Sequence, residues 1–310
     1  MTAPTRAGAQ ASHVETPVIV PVRHPGRVIS GLIVLALLAL LGYKLGTVNK
    51  INYPSITKYL LQRSIVEGVT TTVELAVLSQ LVGVVLGTLL ATMRMSHNPV
   101  LSSVSWLYIW FFRGTPLIVQ ILFWYNGLLY LLPRSISLTV LPGVTLFSGL
   151  TADLLTIFVA AALALSLNEA AYMAEIVRGG ILAVDGGQTE ASQALGMTHG
   201  QTLRRIVLPQ AMRVIIPPTG NEFISMLKNT SLVVVIGQNE LLGRTQAIYS
   251  QSGEVFELLV MASLWYLALT SVSYVGQYYL ERRFARGSLR DLPPTPLQRV
   301  RRLSASGMRA

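Results

Sequence analysis

Cysteine is absent from all 310 residues. That excludes disulfides, thiolate metal sites and a cysteine nucleophile. Charge is scarce as well: 12% of residues are Asp, Glu, Lys or Arg, about half of what a water-soluble domain carries. Histidine occurs only at His13, His24, His97 and His199, in tails or short loops and at no metal-ligand spacing. No Gly-Lys dipeptide occurs, so the chain holds no G-x-x-x-x-G-K-[ST] phosphate loop. G-x-S-x-G and H-E-x-x-H are missing too, which removes the usual hydrolase signatures. No candidate catalytic residue and no candidate metal ligand remains.

Apolar sequence is what the chain has in quantity. Hydrophobic residues make up 52% and the mean hydropathy is +0.54. Several runs reach membrane-spanning length, so the expected fold is an all-α, polytopic membrane helix bundle. The net charge of +10 raises nucleic acid as a partner, but its placement argues against that. Arginines crowd the stretch from Arg282 to Arg309, directly after the last apolar run, as the positive-inside rule expects of a cytoplasmic flank.

Taken in order, 1–27 is Pro-, Ala- and Thr-rich without periodicity and reads as a disordered cytoplasmic tail. The run 28–48 reads as an extra, uncleaved anchor helix, because the small residues of a signal-peptide cleavage site are missing around it. An amphipathic connector follows over 53–63. Further spans are expected at 65–93, 116–132, 154–177, 210–236 and 256–279, about six in all, with 133–149 as an outer loop and both termini cytoplasmic. Gly68, Gly83 and Gly87 give the second span flat surfaces for close helix contact. The aromatic stretch 99–112 reads as a separate interfacial elbow, with Thr115 and Pro116 as N-cap and first residue of the next span. A break there would leave Arg113 at the headgroups, where it can snorkel. The stretch 283–310 is a basic cytoplasmic tail.

One polar segment interrupts the apolar pattern, between spans four and five. Asp185 and Thr189 both suit the N-cap of a short helix through Leu195, and Gly196 suits the left-handed position that ends it. Thr198 and Gln201 form a capping box for a second helix, expected to reach about Leu208 before Pro209 redirects the chain. The first helix has small residues at Ala191, Ser192 and Ala194 and one large apolar tip, Leu195. That shape suits insertion into a groove on another protein.

The same segment carries a family resemblance. Glu190-Ala191, Gly196, Ile206 and Leu208-Pro209 stand at the spacings of the EAA loop of ABC-importer permeases, with Ser192 where the motif has its second Ala. Phe112-Arg113-Gly114-Thr115-Pro116-Leu117 with Gln120, Ala171-Tyr172 with Glu175, Arg178-Gly179-Gly180 and Lys228-Asn229-Thr230-Ser231-Leu232 resemble the polar amino-acid branch of that family. That branch usually has Asp at Asn229. The resemblance covers 60–282 and implies an ABC permease transmembrane domain there. It implies that a separate ATPase, using ATP and Mg, grips the 188–196 coupling helix through Gln188, Glu190, Ala191, Ser192, Ala194, Leu195 and Gly196. It also implies a second permease subunit, identical or paralogous, an extracytoplasmic substrate-binding protein, and a bacterial cytoplasmic membrane as the location. The implied activity is ATP-driven import of polar amino acids by alternating access.

Polar residues inside spans are the other leads, each costing roughly 2.5–3.5 kcal/mol at mid-bilayer when charged. Asn168, Tyr172 and Glu175 follow i, i+4, i+7 spacing, with Glu169 about a quarter-turn away. Asn221, Ser225 and Lys228 follow the same spacing on the next span. The two stripes read either as walls of a hydrated path or as ion pairs, Glu175 or Glu169 with Lys228 or Arg178, that fasten the bundle. Glu74 stands alone. A secondary transporter driven by an ion gradient is the rival reading. It explains the intramembrane acids but leaves the polar loop unexplained, and no inverted repeat supports it.

Overall fold

The computed structural model describes residues 25–47, 52–141 and 144–284. The chain divides into two units, 1–51 and 52–310. In the first unit α1 spans Pro25–Gly46 and is apolar along its length. It starts three residues before the expected anchor, with Pro25 at its first position, where a missing N–H costs nothing. The rest of the disordered-tail expectation, 1–24, lies outside the described residues, as does 285–310 of the basic tail.

The second unit opens with α2 (Tyr53–Leu60), a short break, and α3 (Arg63–Arg94). α4 (Pro99–Gly114), α5 (Leu117–Leu122), a π turn (Phe123–Gly127) and α6 (Leu128–Leu131) follow. A hairpin of β1 (Ser135–Leu141) and β2 (Val144–Leu150) comes next, paired antiparallel from Ser135↔Leu150 to Leu141↔Val144. After it come α7 (Thr151–Leu154), α8 (Ile157–Leu182), α9 (Gly186–Ala194) and α10 (His199–Thr202). A π turn (Leu203–Val207), α11 (Leu208–Asn229), a 3-10 segment (Thr230–Ile236), α12 (Leu241–Ser252) and α13 (Val255–Phe284) complete the described chain. The molecule is mostly helical, but the all-α expectation misses the hairpin. The 133–149 loop contains Ser-Ile-Ser-Leu-Thr and Val-Thr-Leu-Phe, β-branched and alternating around Pro142-Gly143, which is the local pattern of two strands.

Among the described residues α3, α8 and α13 are long and apolar enough to cross a membrane, and α4 with α5–α6 makes a fourth if that pair, bent by 105°, is one span. α11 does not qualify by itself, because Arg213, Glu222, Lys228 and the Pro217-Pro218 pair dilute its hydropathy. The core is built on α3 against α8. A Cβ on Gly83 would overlap the Glu169 side chain, and one on Gly87 would crowd Met173 and the Ala170 carbonyl. Glycine is therefore what permits the close approach expected at these positions. Leu75, Ile121, Leu165, Met226 and Val233 bring α3, α5, α8, α11 and the 3-10 segment into one buried cluster.

A second cluster joins α12 to α2, α3 and α13. Glu240, fully buried, accepts hydrogen bonds from Tyr266 (2.7 Å), Thr72 (3.1 Å) and the Gly243 N–H (2.9 Å). That carboxylate joins α12 to α3 and α13. Asn52 and Ser55 bind Glu254 and Glu257 at the start of α13, and the Trp265 indole donates to the Leu60 carbonyl. Arg63, a cation without an evident role in the sequence, pairs with Glu67 at 2.9 Å.

Candidate functional site: a polar loop and a polar cavity

Asp185 decides the start of α9. Its Oδ1 accepts the Gly187 N–H at 2.8 Å, so Thr189, the other candidate, lies inside the helix. α9 ends at Ala194 with Leu195 as C-cap, and Gly196 takes φ +77°, the left-handed position expected of it. Thr198 and Gln201 form the reciprocal capping box. Pro209 does not redirect the chain. The π turn before it sends the Leu208 N–H back to Leu203, five residues away. That wider winding relieves the clash a proline ring makes with the carbonyl four residues earlier, so the helix runs on through Pro209.

Six of the seven expected docking residues face outward: Gln188, Glu190, Ala191, Ala194, Leu195 and Gly196 are exposed, Leu195 to 83%. Ser192 does not. It is buried, and its Oγ donates to the Thr189 carbonyl at 2.8 Å and lies 2.9 Å from Thr202 Oγ1. A small residue is needed there because α9 rests on the following arm. Glu190 makes neither a cap nor an ion pair among the described residues.

The second feature is a cavity of about 510 Å³ between the α4–α5 break, α8 and α11. Of the seven candidates on the two stripes, Asn168, Glu169, Tyr172 and Ser225 line it, joined by Arg113, Glu222 and Asn229. Glu175, Asn221 and Lys228 do not. Glu175 pairs with Arg178 one turn along the same helix, at 2.7 Å, so that pair fastens nothing between helices. Asn221 accepts from Gln277 of α13 at 3.0 Å, and Lys228 is exposed with no acid beside it among the described residues.

Arg113 is not at an end of the bundle. The break at Thr115 is present, but the caps fall one residue later than expected: Thr115 closes α4, Pro116 is the N-cap and α5 begins at Leu117. The break leaves the arginine exposed at the cavity mouth, over the Tyr172 ring at 5.3 Å from its centroid, midway along α8. Gln120 holds the break, its Nε2 donating to the carbonyls of Phe112 and Thr115 and to Thr115 Oγ1 at 2.8–3.0 Å. Asn168 reinforces it with bonds to the Phe112 carbonyl (3.1 Å) and Gln120 Oε1 (3.2 Å). Asn168 therefore shapes the cavity as well as lining it. Glu169 is 3% exposed and its Oε1 accepts no hydrogen bond. The cavity thus sets one cation against two carboxylates, with one carboxylate oxygen unsatisfied.

Glu222 was missing from the stripes because it stands one residue off the Asn221–Lys228 spacing. An acid inside an apolar stretch was the signal that could have found it.

Residues 83–286 match the model of the binding-protein-dependent transport system inner membrane component. The chain belongs to that family. Among its relatives, the permease is 50% identical over 275 residues to the arginine transport system permease protein ArgU of Corynebacterium glutamicum, covering 88% of this chain and 84% of the relative. It is 35% identical to the arginine transport system permease protein ArtQ of Bacillus subtilis, over 69% of this chain and 89% of that one. Its fold matches a crystal structure of an amino acid ABC transporter with histidines at TM-score 0.64 and 36% identity, over 75% of this chain and 99% of that chain. Family members are inner membrane components of binding-protein-dependent transport systems.

Proposed function

We propose that this chain is the membrane-spanning subunit of an ATP-driven importer of polar amino acids in a bacterial cytoplasmic membrane. The observation that carries the reading is α9: a two-turn helix with an exposed Leu195 tip, seated through Ser192 on a fixed second arm. An isolated helix of this length is marginal in water, and its outward residues bury nothing in this chain. A separate ATPase that binds ATP and Mg supplies the groove. Two permeases pair, because one chain walls only part of a path, and an extracytoplasmic binding protein delivers the substrate. Nucleic acid has no place in this assembly.

In this reading six segments cross the bilayer: α1, α3, α4 with α5–α6 as one span bent at Thr115, α8, α11 with its 3-10 extension, and α13. Both termini are cytoplasmic, α9 lies between the fourth and fifth spans, and 60–282 is the transport domain. Arg113, Glu169 and Glu222 give the path groups of both signs, which suits a zwitterionic or cationic amino acid. Relatives named for arginine, cystine and nopaline transport support the same substrate class.

The test is reconstitution into proteoliposomes with the partner ATPase and binding protein. Uptake of labelled amino acids should require ATP and both partners. Uptake that persists without the ATPase and collapses with the proton gradient would favour an ion-driven transporter instead.

A further inference from the structure

The loop that carries α9 segregates its charge. Its acids, Asp185 and Glu190, belong to α9, and Asp185 is occupied as a cap. Its cations, Arg204 and Arg205, lie on the second arm, inside the π turn Leu203–Val207. Both arginines are exposed and neither pairs with an acid among the described residues. With Thr198, Gly200 and Gln201 they line a cleft of about 530 Å³. Gln201 Oε1 and Thr198 Oγ1 serve as acceptors within the capping box, which leaves the Gln201 amide NH2 and the two donor-only guanidiniums facing the cleft.

Two observations tie this cleft to the α9 surface. The buried Ser192–Thr202 contact joins α9 to the arm two residues before Arg204, so tip and cleft belong to one hydrogen-bonded unit. The π turn follows Thr202 without a break and carries the two arginines as adjacent residues. A guanidinium fork matches a carboxylate bidentately, whereas an ammonium does not.

We infer that Arg204 and Arg205 form a second anchorage for the ATPase, a cleft that takes one or two carboxylates of an acidic patch on its surface. This rests on the docking role proposed for α9 and extends it. The ATPase footprint is bipolar: acidic residues meet Arg204 and Arg205, an apolar groove meets Leu195, and Glu190 faces a neutral or basic rim. Leu195 sets the strength of docking, while the arginines set its register and its salt dependence.

The test uses the full-length chain in nanodiscs of phosphatidylcholine alone, with the ATPase subunit that co-purifies with it. Its Kd is measured at low and at about 1 M salt, where screening reaches down to ~3 Å. Double replacement Arg204→Gln with Arg205→Gln should weaken association about three- to thirtyfold at low salt, the range of two exposed ion pairs, and leave it unchanged at high salt. The Arg204→Lys, Arg205→Lys pair keeps the charge but loses the bidentate fork, so it should recover only part of the lost affinity while keeping the salt dependence. Leu195→Asp should abolish association at either salt. Wild-type affinity in the double Gln variant at low salt, with Leu195→Asp still disruptive, overturns the arginine cleft alone. Normal association in both overturns the α9 docking reading as well. A loss in the double variant that persists at high salt means the arginines hold the loop's shape, and overturns the cleft. A loss seen only when phosphatidylglycerol is added to the discs assigns the arginines to the lipid surface and overturns it too.

Discussion

Ser192 Oγ and Thr202 Oγ1 stand 2.9 Å apart, both buried, and Thr202 is the donor. The assignment follows from Ser192, whose own proton goes to the Thr189 carbonyl at 2.8 Å. This bond fixes α9 on the arm that continues into α11. Thr202→Val keeps the shape and removes the donor, at a cost of about 0.5–1.5 kcal/mol. Amide exchange in 186–202 should accelerate roughly two- to tenfold while α3 and α8 stay protected. Unchanged exchange in the loop would show that the bond does not hold it.

A glycine prediction separates close packing from mere helix content. Gly83→Ala drives a methyl group into Glu169 and should destabilise the protein by about 1–3 kcal/mol. Gly179→Ala meets open space on α8 and should be neutral or slightly stabilising. Thermal unfolding in detergent checks both. Equal effects would mean that the α3–α8 contact is looser than described.

At Arg113 the break in the chain and the ring of Tyr172 act on one side chain. Arg113→Lys keeps the charge but loses the guanidinium over the Tyr172 ring, a contact worth about 0.5–1 kcal/mol at an exposed site. Uptake should fall in Arg113→Lys and further in Arg113→Gln, with melting temperatures close to wild type. A loss of stability without loss of uptake would make Arg113 a structural residue.

The Glu240 carboxyl, between the 3-10 segment and α12, is held above the usual carboxylate range by burial, opposed by its hydrogen bonds from Tyr266, Leu242, Gly243 and Thr72. Its folded form binds a proton more tightly than the unfolded chain does. The stability this proton contributes is present at acid pH and is lost as pH rises through the folded value. Glu240→Gln cannot titrate, so its melting temperature relative to wild type should rise with pH over that window. A constant difference across the window would remove the titration from the account.

How much of this was legible in the sequence differs by feature. Gly196, the Thr198–Gln201 box and the Thr115–Pro116 break are local, each set by backbone conformations that few residues permit, and the structure has them where residue chemistry puts them. The close approach at Gly83 and Gly87 was likewise written in residue size. Which polar residues meet was harder, because helical spacing orders residues along one helix and leaves open which helix they face. Glu175 therefore aligned with Asn168 and Tyr172 by spacing yet turned to Arg178, while Arg113 and Glu222 joined the cavity from elements whose packing only the tertiary structure sets. Pro209 misled because a π turn can absorb its ring, and nothing local announces a π turn.

The most direct measurement of the central claim, that α9 receives force from an ATPase, is reconstitution of the wild type, Leu195→Asp and Gly196→Val with ATPase and binding protein. Leu195→Asp places a charge where an apolar groove is expected. Gly196→Val forces a β-branched residue into φ +77°, at about 1–3 kcal/mol of strain. Both variants should insert and bind the external protein normally, while ATPase association, substrate-stimulated hydrolysis and uptake fall together. Near-normal association with coupled hydrolysis in both variants would contradict the account.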